Sequence, residues 1–171
     1  MCKHHHGVAT RRGLLSLASG ALAFSALPYQ AQAAAHIEAL GFTCIDYRVV
    51  DEAVALFHQQ HLTNQYDMMA LAGASLGAVS PLFPSSNAAF WDHIGIAKKL
   101  HNIKKVVVVD HRDCGAYKIA FGKNYAGSGA AELAQHKGVM GKMQAMLKEK
   151  HPDLGGEFYL LALDGSAERV I

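Results

Sequence analysis

The sequence has few of the features that mark specialised classes of protein. Only 8% of its 171 residues are aromatic and 18% are charged, and no internal repeat or low-complexity tract interrupts residues 34–171. It has neither the Gly-x-Gly-x-x-Gly pattern nor the Walker pattern of nucleotide-binding loops. Because 51% of the residues are hydrophobic, the composition predicts one compact globular domain without a dedicated phosphate-binding loop.

Long apolar runs are also scarce. The run Gly13 to Leu27 is too short to span a bilayer comfortably. It follows the paired Arg11 and Arg12, and Ala31–Ala33 has the small-x-small form that a signal peptidase cleaves. We therefore predict that residues 1–33 are an export signal of the twin-arginine type, which would deliver the folded protein to the periplasm. An ordinary secretory signal and an uncleaved anchor are the alternatives.

The remaining chain lacks an excess of basic charge. Removal of the signal takes away three basic residues and no acid, which leaves 13 basic and 14 acidic side chains and a net charge of about −1. The basic residues that cluster have no aromatic residues between them, so we expect no nucleic-acid partner. We also expect no stable membrane association once the signal is cleaved. The clustered residues are Lys98, Lys99, Lys104 and Lys105.

Cysteine is rare as well. Cys2 belongs to the signal, so the predicted mature domain keeps only Cys44 and Cys114. Two cysteines in an oxidising compartment first suggest a disulfide. The residues around them favour another role, because each cysteine lies near the end of a predicted strand.

What the sequence does contain is an alternation of strands and helices. Four consecutive valines in Lys104–Asp110 leave no polar face, which is typical of a central parallel strand covered on both sides. We predict an α/β fold, a single domain with an open, mainly parallel sheet flanked by helices and a C-terminal hairpin. The other predicted strands are Glu38–Ile45, Tyr66–Leu71 and Glu157–Leu163, the predicted long helices are Asp51–Leu62, Ser86–His101 and Ser128–Lys150, and Asp164-Gly165 turns the last strand into Glu168–Ile171.

Several local details follow from the same patterns. Residues 73–87 contain two prolines and are predicted to form a loop. Asp51 and either Ser86 or Asn87 are predicted to cap the helices that follow them. Leu100 is expected on the buried face of its helix, together with Phe90, Ile94 and Ala97.

The two cysteines and one histidine are predicted to meet at one edge of the sheet. Ligands of open parallel sheets bind at the carboxyl ends of the strands. Cys44 ends the first predicted strand, and His111 and Cys114 directly follow the valine-rich strand. If those strands are neighbours, the three side chains converge. Two thiolates and an imidazole suit zinc, which binds such ligands tetrahedrally and needs a fourth donor.

A carboxylate and a guanidinium accompany the first cysteine. Cys44, Asp46 and Arg48 would point to one side if the segment CIDYR is extended. Asp46 would then either bind zinc as a fourth ligand and close the site, or pair with Arg48 and leave the fourth position to water. Only the open arrangement is competent for catalysis, because zinc must activate a bound water.

CIDYR followed by HRDCG, with a valine-rich strand before the histidine, resembles the Cys-x-Asp-x-Arg and His-x-x-Cys motifs of the β-class carbonic anhydrases. The resemblance covers most of residues 39–171. It implies reversible hydration of carbon dioxide to bicarbonate by a zinc-bound hydroxide, in a homodimer or higher oligomer. It also implies that Zn²⁺ binds Cys44, His111 and Cys114, and that an Asp46–Arg48 dyad gates the fourth position.

One segment departs from the family pattern. Between the two motifs the family usually carries Arg-Asn-Ala-Gly-Asn, whereas Leu71–Ser75 has the sequence LAGAS. The altered segment would reshape the pocket, so a hydrolase of COS or CS₂ is an alternative. A noncatalytic zinc-binding protein and a redox protein with a Cys44–Cys114 disulfide are two others. By residue type, the candidate proton shuttles are His58, His61, His93 and His101.

Overall fold

The structure is a computed structural model that describes residues 36–125 and 128–171. The predicted export signal therefore lies outside the described residues. Within these two ranges, no helix combines the length and the apolar character needed to cross a membrane. The elements in chain order are β1 (Ala39–Thr43), α1 (Val50–Gln59), β2 (Tyr66–Ala70), α2 (Ser75–Val79), α3 (Pro84–His101), β3 (Lys105–His111), α4 (Gly115–Phe121), α5 (Gly129–Lys150), β4 (Gly155–Leu161) and β5 (Ala167–Arg169).

The five strands form one sheet in the order β2-β1-β3-β4-β5. The first four strands are parallel, and β5 pairs antiparallel with β4. This arrangement confirms the predicted single α/β domain with a mainly parallel sheet and a C-terminal hairpin. Strands β1 and β3 are direct neighbours, with Thr43 opposite Val109. Their carboxyl ends therefore lie side by side, as the predicted convergence of ligands requires.

The valine-rich strand β3 is buried on both of its faces. Val106 and Val108 pack with α3 and α5 residues such as Phe90 and Met140 on one side of the sheet. Val107 and Val109 pack on the other side with α1 residues such as Phe57. A strand covered on both sides has no polar face, and this explains the run of valines in the sequence.

Some predicted details of the helices are wrong. Residues 75–79 of the predicted loop form the short helix α2. Helix α3 begins at Pro84 rather than after Ser86 or Asn87, because proline is tolerated in the first turn, where its missing N–H has no intrahelical partner. Asp51 lies inside α1 and makes no side-chain cap. Leu100 is 53% exposed, because the buried stripe of α3 runs through Phe90, Ile94 and Ala97 and leaves Leu100 beside it.

Gly41 in the middle of β1 offers a test of this packing. A Cβ atom at Gly41 would lie 2.8 Å from Cδ2 of Tyr66 and 3.1 Å from Cε2 of Phe57, whose rings pack against each other. We expect Gly41→Ala to lower the free energy of unfolding by about 1–3 kcal/mol, the usual cost of overpacking. The measurement is the midpoint of denaturant unfolding.

The matched control is Gly95→Ala in α3. A Cβ atom at Gly95 meets nothing within 4 Å. In a helix interior, alanine is favoured over glycine by roughly 0.5–1 kcal/mol. Gly95→Ala should therefore raise the midpoint slightly, and a drop as large as that of Gly41→Ala would contradict the packing argument.

Candidate metal centre

The structure brings Cys44, His111 and Cys114 together at the carboxyl edge of the sheet. One ligand atom from each residue lies within 4.8 Å of the other two, and all three residues are buried. Cys44 follows the end of β1, His111 ends β3, and Cys114 precedes the first residue of α4. Both cysteines are free, so the disulfide considered above is absent from this structure. The arrangement is a cluster that can hold a metal ion.

The hydrogen bonds of His111 show which of its ring nitrogens faces the cluster. Nδ1 lies 2.8 Å from the carbonyl oxygen of Arg112, and a carbonyl only accepts, so Nδ1 carries the proton. Nε2 of a neutral imidazole then holds a free lone pair. Within the described ranges, this buried Nε2 atom has no hydrogen-bond partner. A buried nitrogen left unpaired beside two sulfur atoms fits a metal ligand, since buried polar atoms are otherwise almost always satisfied.

The two cysteine sulfur atoms affect each other's pKa. The hydrogen bond from Cys114, supported by the one from the Gly73 N–H, outweighs burial and lowers the pKa of Cys44. The Gly73 N–H lies 3.3 Å from Sγ of Cys44. The hydrogen bond with Cys44 and burial raise the pKa of Cys114. The lowered pKa of Cys44 favours its thiolate, which is the form that binds a metal ion.

Asp46 and Arg48 form a close pair beside the cluster. Nε of Arg48 donates to Oδ1 of Asp46 over 3.0 Å, and NH2 donates to Oδ2 over 2.7 Å. Chiefly because of these bonds, the pKa of Asp46 falls to about 2. Oδ2 of Asp46 lies 3.8 Å from Nε2 of His111, so the carboxylate is at the edge of the cluster. The pair forms through a turn, since the Arg48 N–H also donates to Oδ1 of Asp46, and not along an extended segment.

Asp113 and Arg112, in the second motif, both form ion pairs. Asp113 accepts from Nη1 of Arg48 over 2.9 Å and also pairs with Lys118. Arg112 pairs with Glu132 and Glu168. Arg48 therefore links the two ligand-bearing segments of the chain.

A cavity of about 550 Å³ opens next to the cluster. Cys44, Asp46, Arg48 and Cys114 are among the residues that line it, and so is Ala72 of the altered segment. The four histidines named above as possible proton shuttles are not among its lining residues in the part of the chain that the structure describes. His93 and His101 line a different cavity.

Behind the cluster lies a buried polar network that the sequence did not predict. Asp110, next to His111, accepts from the N–H and the hydroxyl of Ser75, from the hydroxyl of Tyr117, and from Nδ1 of His136. All four residues are at most 1% exposed. The one sequence signal that pointed to this network was an acid at the end of an otherwise apolar buried strand.

Comparison with protein families assigns the chain. A family model described as "Putative carbonic anhydrase" matches residues 35–142. The chain belongs to the carbonic anhydrase family. The chain is 37% identical to an uncharacterised protein of Rickettsia conorii over 128 residues. The match covers 75% of the chain and 69% of the Rickettsia protein.

The fold of the chain is similar to the folds of solved carbonic anhydrases. A carbonic anhydrase of Streptococcus mutans matches with a TM-score of 0.53 and 16% identity, over 80% of this chain and 83% of that one. A β-carbonic anhydrase of Aspergillus fumigatus matches with a TM-score of 0.53 and 13% identity, over 85% and 94%. At these identities the chain is a divergent member that shares the architecture.

Proposed function

We propose that this protein catalyses the zinc-dependent, reversible hydration of carbon dioxide to bicarbonate. The observation that carries the proposal is the buried Nε2 of His111, which has no hydrogen-bond partner among the residues that the structure describes. It faces two cysteines beside a paired carboxylate and guanidinium. Membership of the carbonic anhydrase family supports the same reaction. The periplasmic location and the homodimer or higher oligomer stay predictions from the leader and from the resemblance.

Zinc is the ion that we propose for the cluster. Two sulfur ligands and one imidazole are the donors that Zn²⁺ prefers, and a fourth position remains for water. When bound there, zinc would supply Lewis-acid activation of that water. Cys44, His111 and Cys114 would hold the ion.

Asp46 and Arg48 would then orient the attacking water. Oδ2 of Asp46 would accept a hydrogen bond from the water that attacks carbon dioxide, and would fix the direction of its remaining lone pair. Arg48 keeps this carboxylate ionised, because its hydrogen bonds hold the pKa of Asp46 at about 2. Asp113 holds the other side of the guanidinium, so Arg48 is fixed between two acids. The proton released by hydration leaves to solvent.

A noncatalytic zinc site is the second candidate. The 3.8 Å distance between Oδ2 of Asp46 and Nε2 of His111 favours it, because a carboxylate at this distance is near enough to take the fourth position after a small movement. In that case the site would bind zinc and exclude water.

The test combines metal content, free thiols and turnover on the purified protein. We expect about one zinc per chain, no disulfide, and carbon dioxide hydration in a stopped-flow assay that stops when zinc is removed. Zinc without hydration would support the noncatalytic site. A metal-free protein with a disulfide would reject the metal site, and COS or CS₂ hydrolysis without carbon dioxide hydration would redirect the proposal to the related hydrolases.

A further inference from the structure

We propose that the Asp110 carboxylate is a positioning residue for the metal site: through Ser75 it fixes the Gly73–Ser75 turn, whose Gly73 N–H donates to Cys44. The inference rests on the metal-binding role proposed above for Cys44. It assigns a function to a buried network that neither ligand motif includes.

The Asp110 carboxylate accepts four hydrogen bonds. Its Oδ1 accepts from the Ser75 N–H over 2.9 Å, and its Oδ2 accepts from the Ser75 hydroxyl over 2.6 Å. The same Oδ2 accepts from the Tyr117 hydroxyl over 2.7 Å and from Nδ1 of His136 over 2.9 Å. Ser75 therefore bonds both carboxylate oxygens. Tyr117 of α4 and His136 of α5 fix the position of the carboxylate itself.

Ser75 is the only polar side chain in the segment Leu71–Ser75. The turn that precedes it is unusual, since Gly73 has φ +76° and Ala74 has φ +42°. A non-glycine residue with positive φ persists when the surrounding structure holds it in place. The two hydrogen bonds from Ser75 to Asp110 fix the C-terminal side of the turn in this way.

The Gly73–Ser75 turn contacts Cys44, one of the candidate metal ligands. The Gly73 N–H lies 3.3 Å from Sγ of Cys44, and hydrogen bonds to a ligand atom orient it and tune its electron density. Gly73 also packs closely, because a Cβ atom there would lie 3.1 Å from Cβ of Ala116. Displacement of the turn would therefore remove a backbone donor from the Cys44 sulfur.

His136 is committed to the same carboxylate. Its Nδ1 faces Asp110, its ring lies 3.8 Å from the Tyr117 ring, and its buried Nε2 has no hydrogen-bond partner among the described residues. The bond from Nδ1 to Oδ2 of Asp110 is therefore the hydrogen bond by which His136 helps to hold the carboxylate in place.

The test measures the turn and the metal separately in Asp110→Asn. An amide cannot accept at both terminal atoms, so at least one contact with Ser75 or its neighbours is lost. In the metal-free protein, we expect amide hydrogen exchange at Gly73 to accelerate by about 10-fold relative to Val170, a remote amide of the C-terminal hairpin. We expect zinc affinity to fall by roughly 10–100-fold, and the thiolate-to-cobalt absorption band of the Co²⁺-loaded protein to shift.

The matched control is Asp67→Asn. Asp67 also pairs with a histidine, since its Oδ2 lies 2.8 Å from Nδ1 of His101, and both line a cavity apart from the metal cluster. Loss of this pair should change neither the Gly73 exchange nor the cobalt band. Ser75→Ala is the milder second variant, which decides the question if Asp110→Asn does not fold.

The outcomes distinguish this inference from the proposed function. If the wild-type chain binds no zinc, the proposed function fails, while Gly73 exchange still shows whether Asp110 holds the turn. Unchanged relative exchange at Gly73 in a folded Asp110→Asn protein would overturn the positioning role. Faster exchange with unchanged zinc affinity and an unchanged cobalt band would overturn its link to the metal.

Discussion

Replacement of Asp46 by asparagine is expected to leave zinc bound and to lower carbon dioxide hydration by at least about 100-fold, the lower range for loss of a positioned acid–base group. Asp46 is not one of the three clustered ligands, so zinc content should be unchanged. Both carboxylate oxygens accept from Arg48, and an amide can present only one acceptor to that fork. The amide nitrogen would then point a donor either at Arg48 or at the cavity, where an acceptor is needed.

The measurement is stopped-flow hydration with zinc content determined on the same samples. Asp153→Asn is a suitable control, because Asp153 also pairs with a cation, Lys98, over 2.7 Å, but does not line the cavity. Its activity should equal that of the wild type. Full hydration activity in Asp46→Asn would remove Asp46 from the mechanism.

Cys44→Ser is expected to abolish stable zinc binding and, with it, hydration. A serine hydroxyl replaces a sulfur whose pKa is lowered by hydrogen bonds from Cys114 and from the Gly73 N–H, so the variant loses the thiolate that would bind the ion. Loss of a group that hydrogen-bonds to a metal ligand commonly costs 10–100-fold in metal affinity. Loss of a ligand itself should cost more than about 100-fold, measured by competition with a chromogenic chelator.

The control for this change is Cys2→Ser in the full-length chain. It removes a thiol that belongs to neither ligand motif, so zinc affinity and hydration should not change. Equal zinc affinity in Cys44→Ser and wild type would show that the ion binds elsewhere. That result would contradict the proposed site even if the protein were an active enzyme.

The sequence predicted the cluster because its determinants are local and periodic. Four valines marked β3 as a central strand, and the rule that ligands meet at the carboxyl ends of parallel strands placed Cys44 near His111. That convergence required β1 and β3 to be neighbours, and the structure pairs them. The predicted ends of these strands differ from the observed ends by one or two residues.

The supporting contacts were not predictable in the same way. The bond between Arg48 and Asp113 joins residues 65 positions apart, and the bond between Ser75 and Asp110 joins residues 35 apart. No periodic pattern encodes such pairs, since each depends on how α2 and α4 pack against the end of the sheet. Helix α2 itself was missed because the glycines and prolines around it favour a loop.

Because two of the candidate ligands lie at the ends of neighbouring strands, a bound ion would also affect the stability of the fold. Cys44 and His111 are separated by a long connection that includes α1, β2, α2 and α3. An ion held by both would cross-link that connection and remove conformations from the unfolded chain. For a covalent bridge over a comparable span, this entropic effect is on the order of 4 kcal/mol. Resistance of the protein to heat would then depend on metal supply, even in variants without turnover.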